Sequence, residues 1–392
     1  MIYSDLIINV KNWGHIFSSW EKNRLPHALL FHGPAGIGKE AHAIELAALL
    51  NCDKIQDERP CGACPSCKKI ISFQHESLKL ILPLPRGKIT SSKDSSMKAF
   101  KNEKAFQEYL DILKEKGSNP YAPLNVSGSN TILINSIREI KQNLSMSMEK
   151  NQWKIILIFQ AEKLCVPSVA AAHALLKILE EPPDQTIIIL VSSKPDIIID
   201  TIHSRCQSVY FPAISNTIIK GQLENMGQDT VTASIIARIS SGNIGLSRQL
   251  IDSYSDIMKK LYIFLNSCFS RDPSIWEKSI DISARLKNKD FRNLEQLFQF
   301  AILFFRDMLY YKNINSTKDI AYKNQIEKID KLCQSYPDAD WHECIEHIEN
   351  TQNYILRNGY LPLMIINLII DIQKSIQGKD HDIFQLSDWV QV

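Results

Sequence analysis

The sequence contains no long hydrophobic run. In its 392 residues, the stretch nearest to the roughly 20 apolar residues of a membrane span is Leu363–Ile372, which Asn367 and Asp371 interrupt. The first residues, MIYSDLIINVKNW, also lack the basic region and small-residue cleavage site of a signal peptide. We therefore expect a cytoplasmic protein without a membrane partner.

An excess of charge of one sign is also lacking. The 45 basic and 43 acidic residues give a formal net charge of +2, which predicts no strong overall attraction to nucleic acid or to an anionic membrane. The 44% hydrophobic and 22% charged residues are typical of a soluble globular protein. A chain of this length is expected to form two or three domains.

The cysteines do not form the pattern of a disulfide framework. Four of the nine lie between positions 52 and 67: Cys61, Cys64 and Cys67 are spaced C-x2-C-x2-C, and Cys52 precedes them. In a cytoplasmic chain this cluster predicts metal ligands, and four thiolates suit a closed, structural zinc site. Free thiols and an iron–sulfur cluster are the alternatives. The ferredoxin pattern continues with x3-C, but position 71 is Ile.

A glycine-rich stretch, LPHALLFHGPAGIGKE, occupies Leu25–Glu40. Its apolar run Ala28–Phe31 predicts a buried strand, and a helix is expected after the glycines, so that backbone N–H groups and a helix N-terminus converge on one anion. The residues expected to bind phosphate are Gly33, Gly36, Gly38 and Lys39. The P-loop pattern is G-x-x-x-x-G-K-[ST], and Glu40 stands where the Mg²⁺-binding hydroxyl belongs.

The pattern of the first half of the chain predicts an α/β domain. Continuous β-branched runs are typical of strands buried on both faces of a parallel sheet, and strands that alternate with helices favour a doubly wound fold. The predicted strands are Ala28–Phe31, Leu78–Leu82, Lys154–Phe159, Thr186–Val191 and Ser208–Phe211. The predicted helices are residues 1–27, Glu40–Cys52, Phe106–Lys116, Ile132–Met148 and Ser168–Glu180.

Two regions depart from this alternation. Residues 86–130 are rich in Ser, Lys and turn-forming residues, which predicts an insertion over the surface. After Pro212 no strand pattern remains, and all predicted elements are helices. These helices are Ile218–Leu223, Val231–Ser240, Leu246–Ser253, Phe291–Tyr311 and Leu361–Ile376.

Four motifs, in this order, resemble one family closely: LPHALLFHGPAGIGKE, the four cysteines, AAAHALLKILEEPP and SKPDIIIDTIHSRCQ. They resemble the subunits of the bacterial replicative clamp loader, within the AAA+ superfamily, over most of residues 1–255. The resemblance implies an AAA+ P-loop domain at 1–212, with a zinc module at 52–67 and the insertion at 86–130. It also implies a small helical lid at 213–256 and an all-α C-terminal collar at 257–392 for oligomerisation.

That family has ATP-hydrolysing motor subunits (gamma/tau) and a delta-prime subunit with a degraded site. In the motor subunits a hydroxyl residue follows the loop lysine, two acids follow the strand corresponding to Ile155–Phe159, and an arginine follows Gly-Ser-x in the lid. Here Glu40 follows the lysine, the strand continues as Phe159-Gln160-Ala161-Glu162 without an Asp at its end, and Gly242-Asn243-Ile244 is followed by Gly245. Each such group can lower the barrier by several kcal/mol. The resemblance therefore implies a non-hydrolysing delta-prime-type subunit, with an active gamma/tau-type ATPase as the alternative; whether ATP still binds stays open.

One catalytic group is retained in the motif Ser204-Arg205-Cys206. The resemblance implies that Arg205 projects in trans toward the ATP of a neighbouring motor subunit, as an arginine finger. The alternative is a surface arginine paired with a nearby acid. Glu180 and Glu181 are not predicted to be an acid–base pair, because consecutive helical residues do not face one another.

The implied partners are the gamma/tau motor subunits and the delta subunit, with the sliding clamp and primed DNA reached through the complex. A different class of function is direct nucleic-acid binding by the cysteine segment. Residues 52–70 contain four basic side chains and no aromatic residue, so base stacking is not expected there.

Overall fold

The computed structural model describes residues 1–87, 89, 91, 94–144, 152–270, 272–284, 291–314, 316–355 and 360–377. The chain forms two compact units. The first comprises Met1–Ile214 with Gly242–Gly245, and the second comprises Ser215–Ser241 with Leu246–Val392. Parts of three predicted segments lie outside the described residues: 145–148 of a predicted helix, 88, 90, 92 and 93 of the insertion, and 378–392 of the collar.

Five parallel strands form the sheet of the first unit, which confirms the predicted parallel sheet. The strands are β1 (Ala28–His32), β2 (Leu78–Ile81), β3 (Lys154–Phe159), β4 (Thr186–Ser192) and β5 (Gln207–Tyr210). Their order across the sheet is β2-β3-β4-β1-β5, and every neighbouring pair is parallel. All five predicted strands agree with these bounds to within one residue at each end, because apolar runs of this kind suit strands covered on both faces.

Seven helices of the first unit lie within the described residues. They are α1 (Val10–Glu21), α2 (Lys39–Leu50), α3 (Pro65–Ile71), α4 (Glu103–Ser118), α5 (Ile134–Leu144), α6 (Ala170–Glu180) and α7 (Asp200–His203). The helix predicted from residue 1 is wrong for the first nine residues. There the N–H groups of Tyr3 and Asn9 donate to Glu45 and His42 of α2, so they do not form helical bonds.

Helices cover the sheet on both faces. Alternate strand residues such as Leu30 and Leu190 share one core with Leu175 of α6. Their neighbours Ile187 and Ile189 point to the other face, where α2 packs against β1, β3 and β4. This arrangement brings the N-terminus of α2 to the carboxyl end of β1, at the glycine-rich loop.

The second unit is helical throughout its described residues. Its helices are α8 (Asn216–Asn225), α9 (Thr230–Ser240), most of α10 (Ile244–Phe269), α11 (Pro273–Ala284), α12 (Phe291–Ile314), α13 (Ile326–Ser335), α14 (Trp341–Ile355) and α15 (Leu361–Gln377). The short helix predicted at Leu246–Ser253 is wrong in length, because no Gly or Pro interrupts the chain from there to Phe269. The predicted boundary between lid and collar at residue 256 falls inside α10, and that division stays a prediction.

The long helix α12 has the buried face that its sequence predicts. Seven predicted core residues are all buried: Leu294, Leu297, Phe298, Ala301, Phe304, Phe305 and Met308. Trp341 of α14 stacks on Phe305 with ring centroids 6.2 Å apart, and α14 packs in turn on α15. In the described part of the chain, no helix is both long enough and apolar enough to cross a membrane.

Candidate phosphate-loop site and trans arginine

The phosphate loop, Gly33–Gly38, joins the end of β1 to the first residue of α2. Three of its glycines have positive φ, at 140° for Gly33, 68° for Gly36 and 90° for Gly38. A side chain would not fit at Gly33, where a Cβ would lie 2.1 Å from the Phe211 carbonyl oxygen. The loop thus has the backbone shape that the glycine pattern predicts, with α2 starting at Lys39.

The ammonium of Lys39 is buried and bonded within the chain. Its Nζ donates to the carbonyl oxygens of Gly33 (2.9 Å) and Pro34 and to Oγ of Ser193 (3.1 Å). An ammonium has three donors, so all three are in use. Burial lowers the pKa of Lys39, and the carboxylate of Glu40 beside it only partly offsets this effect.

Glu40 is a half-buried carboxylate at the N-terminus of α2. Burial raises its pKa, but the ammonium groups of Lys116 and Lys39 outweigh burial, so the pKa lies below its usual value. Lys116 belongs to α4 in the predicted insertion, and it is only 2% exposed. Its Nζ donates to the carbonyl oxygens of Pro120 (2.7 Å) and Ala122 (3.1 Å).

The prediction that the insertion lies over the surface is wrong for Lys116–Asn125, which we call the cap segment. Tyr121, Ala122 and Leu124 of this segment are buried. The Tyr121 ring lies against the phosphate loop, since a Cβ at Gly38 would be 3.1 Å from its Cε1. Its hydroxyl oxygen accepts a hydrogen bond from the Ile7 N–H at 2.8 Å.

The end of β3 also faces the cap segment. Gln160, the first residue after the strand, has a φ of 54°, and its Nε2 donates to the Leu124 carbonyl oxygen at 2.9 Å. Two residues further on, Glu162 is buried. Its Oε2 accepts from Oγ of Ser192 at 2.6 Å. The carboxylate nearest to this strand end is thus bonded to β4.

The segment Gly242–Gly245 closes the loop from another direction. The Gly245 N–H donates to the Gly36 carbonyl oxygen at 3.0 Å. The side chain of Asn243 lies over Gly36, where a Cβ would be 1.7 Å from Asn243 Oδ1. The segment in which the motor subunits carry an arginine therefore contacts the loop through a backbone amide and a neutral side chain.

The structure brings the four predicted metal ligands together. The Sγ atoms of Cys52, Cys61, Cys64 and Cys67 all lie within 4.8 Å of one another, with Cys52–Cys67 at 3.6 Å and Cys61–Cys67 at 4.0 Å. A tetrahedral zinc with Zn–S bonds of ~2.3 Å needs sulfur atoms about 3.8 Å apart. The four cysteines therefore fit a tetrahedral metal site.

Backbone amides donate to the sulfur atoms of Cys61 and Cys64. Cys61 Sγ accepts from the N–H groups of Ala63 (3.4 Å) and Cys64 (3.3 Å), and these bonds lower the pKa of the Cys61 thiol to about 6. Cys64 caps α3 by accepting from the Cys67 N–H at 3.4 Å, with Pro65 as the first helical residue. Hydrogen bonds of this kind stabilise thiolates, the form that binds metals.

Arg205 follows α7, at the turn into β5, and its side chain is 36% exposed. Its Nη2 donates to Glu180 Oε1 at 2.7 Å, and its Nη1 donates to the Thr201 carbonyl oxygen at 3.0 Å. The pairing with an acid is the arrangement that the sequence offered as the alternative to an arginine finger.

Sequence reasoning missed the residues that reach the loop from afar. Tyr121 and Asn243 contact the loop, Ser193 bonds to the Lys39 ammonium beside it, and Lys116 acts electrostatically on Glu40. Ser193 opens the motif SKPDIIIDTIHSRCQ and Asn243 lies in the segment compared with Gly-Ser-x, whereas Lys116 and Tyr121 belong to no motif. For Lys116 the available signal is its place in the last turn of a predicted amphipathic helix. That signal does not predict which residues the lysine contacts.

A parallel sheet with a phosphate loop after β1, followed by a helical unit, is the architecture of the AAA+ class. The chain belongs to the family described as "DNA polymerase III, delta subunit", which it matches over residues 9–215. This confirms the resemblance to clamp loader subunits that its motifs predict.

Relatives of both subunit types are similar to this chain. DNA polymerase III subunit tau of Bacillus subtilis is 25% identical, covering 83% of this chain and 53% of its own. DNA polymerase III subunit delta′ of Bacillus subtilis is 27% identical, over 58% of this chain and 54% of its own. The delta′ subunit of Escherichia coli is 25% identical, over 60% of this chain and 57% of its own length. The chain spans little more than half the length of the curated relatives it matches.

Proposed function

We propose that this chain is a non-hydrolysing, delta-prime-type subunit of the DNA polymerase III clamp loader. It works in the cytoplasm in a hetero-oligomer with gamma/tau motor subunits and a delta subunit. Through that complex it supports ATP-driven loading of the sliding clamp onto primed DNA, and its Arg205 acts on the ATP of a neighbouring motor subunit.

Contacts that the chain itself makes with the phosphate loop and Lys39 support this proposal. The three donors of Lys39, which would bind phosphate, are used by Gly33, Pro34 and Ser193. The Tyr121 ring covers Gly38. An ATP molecule would have to displace these contacts, and it would then meet the carboxylate of Glu40 beside its own negative charge, where a hydroxyl and Mg²⁺ are needed.

The isolated chain tests the first half of the proposal. We expect no ATP turnover above background with Mg²⁺ present, because the residues at the metal positions are Glu40 and Gln160. Turnover that disappears in a Lys39→Ala variant would contradict the proposal, since it would show that the loop is a working site.

The assembled complex tests the role of Arg205. In a clamp loader reconstituted with motor subunits, sliding clamp and primed DNA, Arg205→Ala should lower the stimulated ATPase rate; in GTPase examples such arginines contribute about 10³–10⁵ to the rate. Because only one of several ATP sites borders this chain, the loss in total rate will be smaller. Arg138→Ala, an exposed arginine on α5, is the matched control. An unchanged rate in the Arg205 variant would refute the trans role.

The alternative function is an active gamma/tau-type ATPase. The broad match to the Bacillus subtilis tau subunit, over 83% of this chain, favours it. Binding of ATP by the lone chain separates the two, because an active site of this class binds nucleotide more tightly when Mg²⁺ is present. A titration with a fluorescent ATP analogue, with and without Mg²⁺, should show no tightening of binding by Mg²⁺ if the delta-prime-type proposal is right.

We also propose zinc as the metal of the four-cysteine site, in a structural role. A closed set of four thiolates leaves no open position for chemistry, and bound zinc would stabilise a small module without a large core. We expect one zinc per chain by elemental analysis and its loss in Cys61→Ser. Cys333→Ser, far from the cluster in sequence, should keep it. Iron in place of zinc would contradict the proposal.

A further inference from the structure

The guanidinium of Arg205 is held by contacts on two sides. Its Nη1 faces the Thr201 carbonyl oxygen (3.0 Å) and Ser204 Oγ (3.5 Å), and its Nη2 donates to Glu180 Oε1 (2.7 Å). The first two contacts come from the turn that carries the arginine. The carboxylate is the contact that comes from a different element, the C-terminus of α6.

The position of Glu180 is fixed by its surroundings. The residues before it, Ile178 and Leu179, are buried in the core beneath the sheet, and His27 is hydrogen-bonded to the Leu179 carbonyl oxygen at 3.1 Å. The helix ends at Glu180, because two prolines follow within three residues and cannot continue it. The backbone that carries the Glu180 carboxylate is therefore held in place at the helix end.

The same contacts leave part of the guanidinium available. Arg205 has five N–H donors. Within the described residues, its bonds use the two donors of Nη1 and one donor of Nη2. The Nε–H and one N–H of Nη2 are left for a ligand, and two such donors suit bidentate binding of phosphate oxygens.

We propose that Glu180 is a positioning residue for Arg205, which holds the guanidinium extended toward the ATP of the neighbouring subunit. This inference rests on the proposed trans role of Arg205. A free arginine side chain samples many rotamers, and a fixed carboxylate restricts them before the partner arrives. Preorganised charge is the form of electrostatic stabilisation that lowers a barrier.

The ion pair is a poor candidate for a purely stabilising role. The Glu180 side chain is 49% exposed and that of Arg205 is 36% exposed, and ion pairs in water add little to stability. Its removal should therefore leave the fold and the assembly of the complex unchanged, so that a change in rate can be assigned to positioning.

The test uses the reconstituted clamp loader with sliding clamp and primed DNA. Glu180→Gln should lower about five-fold the part of kcat that depends on Arg205, measured as the difference between the unmodified complex and Arg205→Ala. KM for ATP should be unchanged, because orientation acts on the transition state and not on ATP binding. Glu181→Gln, which removes the adjacent exposed carboxylate, should have the rate of the unmodified complex. A rate for Glu180→Gln that is unchanged or higher would overturn the inference.

A double variant separates positioning from any independent effect. In an Arg205→Ala background, Glu180→Gln should cause no further loss, since the carboxylate acts only through the arginine. An equal loss in both backgrounds would overturn the inference. If Arg205→Ala itself has no effect, the proposed function fails; if Arg205→Ala lowers the rate and Glu180→Gln does not, only the present inference fails.

Discussion

At the scale of single residues, the phosphate loop is surrounded by buried polar groups whose protonation depends on burial. His42 on α2 is the clearest. Its Nε2 accepts from the Asn9 N–H at 3.0 Å, so its Nδ1 must carry the proton and donate to the Gly38 carbonyl oxygen at 2.8 Å. Burial, only partly opposed by that bond, lowers the pKa of His42 to about 4.

His42 should make the stability of the protein depend on acid. Its folded pKa of about 4 lies below the ordinary 6.5, so the unfolded chain binds more protons, and stability is lost as the pH falls from 6.5 toward 4. At pH 4.5 the loss from this residue should be about 2 to 3 kcal/mol relative to pH 7. Urea unfolding of the intact chain at both pH values measures it.

The control separates His42 from the other groups that titrate in this range. In His42→Gln, the difference in unfolding free energy between pH 7 and pH 4.5 should shrink by that amount, whereas His15→Gln, at an exposed position on α1, should leave it unchanged. If the unfolding free energy falls equally between pH 7 and pH 4.5 in all three proteins, His42 is not the cause of the acid sensitivity.

At the scale of elements, the cap segment is the part of the insertion that matters for the loop. Lys116 extends from α4 toward the carbonyl oxygens of Pro120 and Ala122 and contributes the largest charge effect on Glu40. Tyr3 Oη also donates to the Lys116 carbonyl oxygen at 2.8 Å. These contacts link the C-terminus of α4 to the N-terminal segment before α1 and to α2.

The charges of Lys116 and Glu40 should be energetically coupled. Lys116→Met removes the largest favourable charge effect on Glu40 and leaves the carbonyl oxygens of Pro120 and Ala122 without their donor. It should lower the unfolding free energy by about 2 kcal/mol, as expected when buried acceptors lose their donor. In the Glu40→Gln background the same substitution should cost at least 1 kcal/mol less. A double-mutant cycle measured by urea unfolding gives the coupling.

Lys114→Met is the matched control, because Lys114 lies on the exposed side of the same helix. It should change the unfolding free energy by less than about 0.5 kcal/mol. If the losses in the Lys116 and Glu40 variants simply add, the two charges are independent, and their attraction does not hold the cap segment in place.

At the scale of the whole molecule, the two units carry buried groups with opposite responses to pH. Asp307 of α12 is 2% exposed, and its Oδ2 accepts from the N–H groups of Ala321 (2.8 Å) and Tyr322 (2.9 Å). Burial outweighs these bonds and raises the pKa of Asp307 to about 6, above its ordinary 3.8. Stability from this group is therefore lost as the pH rises from 3.8 through 6, and is regained in acid.

Lowering the pH should therefore destabilise the first unit through His42 and stabilise the second unit through Asp307. Asp307→Asn keeps an oxygen acceptor for both N–H groups without a buried charge. We expect it to protect amides of α12 at pH 7.5 by about 2 kcal/mol more than the unmodified chain does. Hydrogen exchange, corrected for the intrinsic rate at each pH, measures both units in one sample.

The comparison of two pH values completes this test. At pH 4 the protection of α12 should be nearly the same in Asp307→Asn and the unmodified chain, because Asp307 is then protonated in the folded state. Amides of α2 should be unaffected by the substitution at either pH. A stabilisation of α12 that persists undiminished at pH 4 would exclude burial of charge as its cause.

The sequence by itself determined the features that depend on neighbouring residues. The five strands follow from local apolar runs, and the phosphate loop follows from glycines at positions with positive φ. The cysteine cluster follows from a C-x2-C-x2-C spacing close to Cys52. Family membership follows from the order of the motifs. The strands, the loop and the cysteine spacing are short-range patterns, and family membership follows from the order of such patterns. All four can therefore be predicted without knowing the tertiary contacts.

Only the tertiary structure decided what fills the site. Lys116 and Tyr121 are far along the chain from Glu40 and Gly38, and they approach these residues because the cap segment folds back onto α2. The same segment accepts a hydrogen bond from Gln160 at the end of β3. The Glu180 partner of Arg205 also comes from another helix. Such contacts depend on packing between segments that are distant in the sequence. No single segment therefore predicts them.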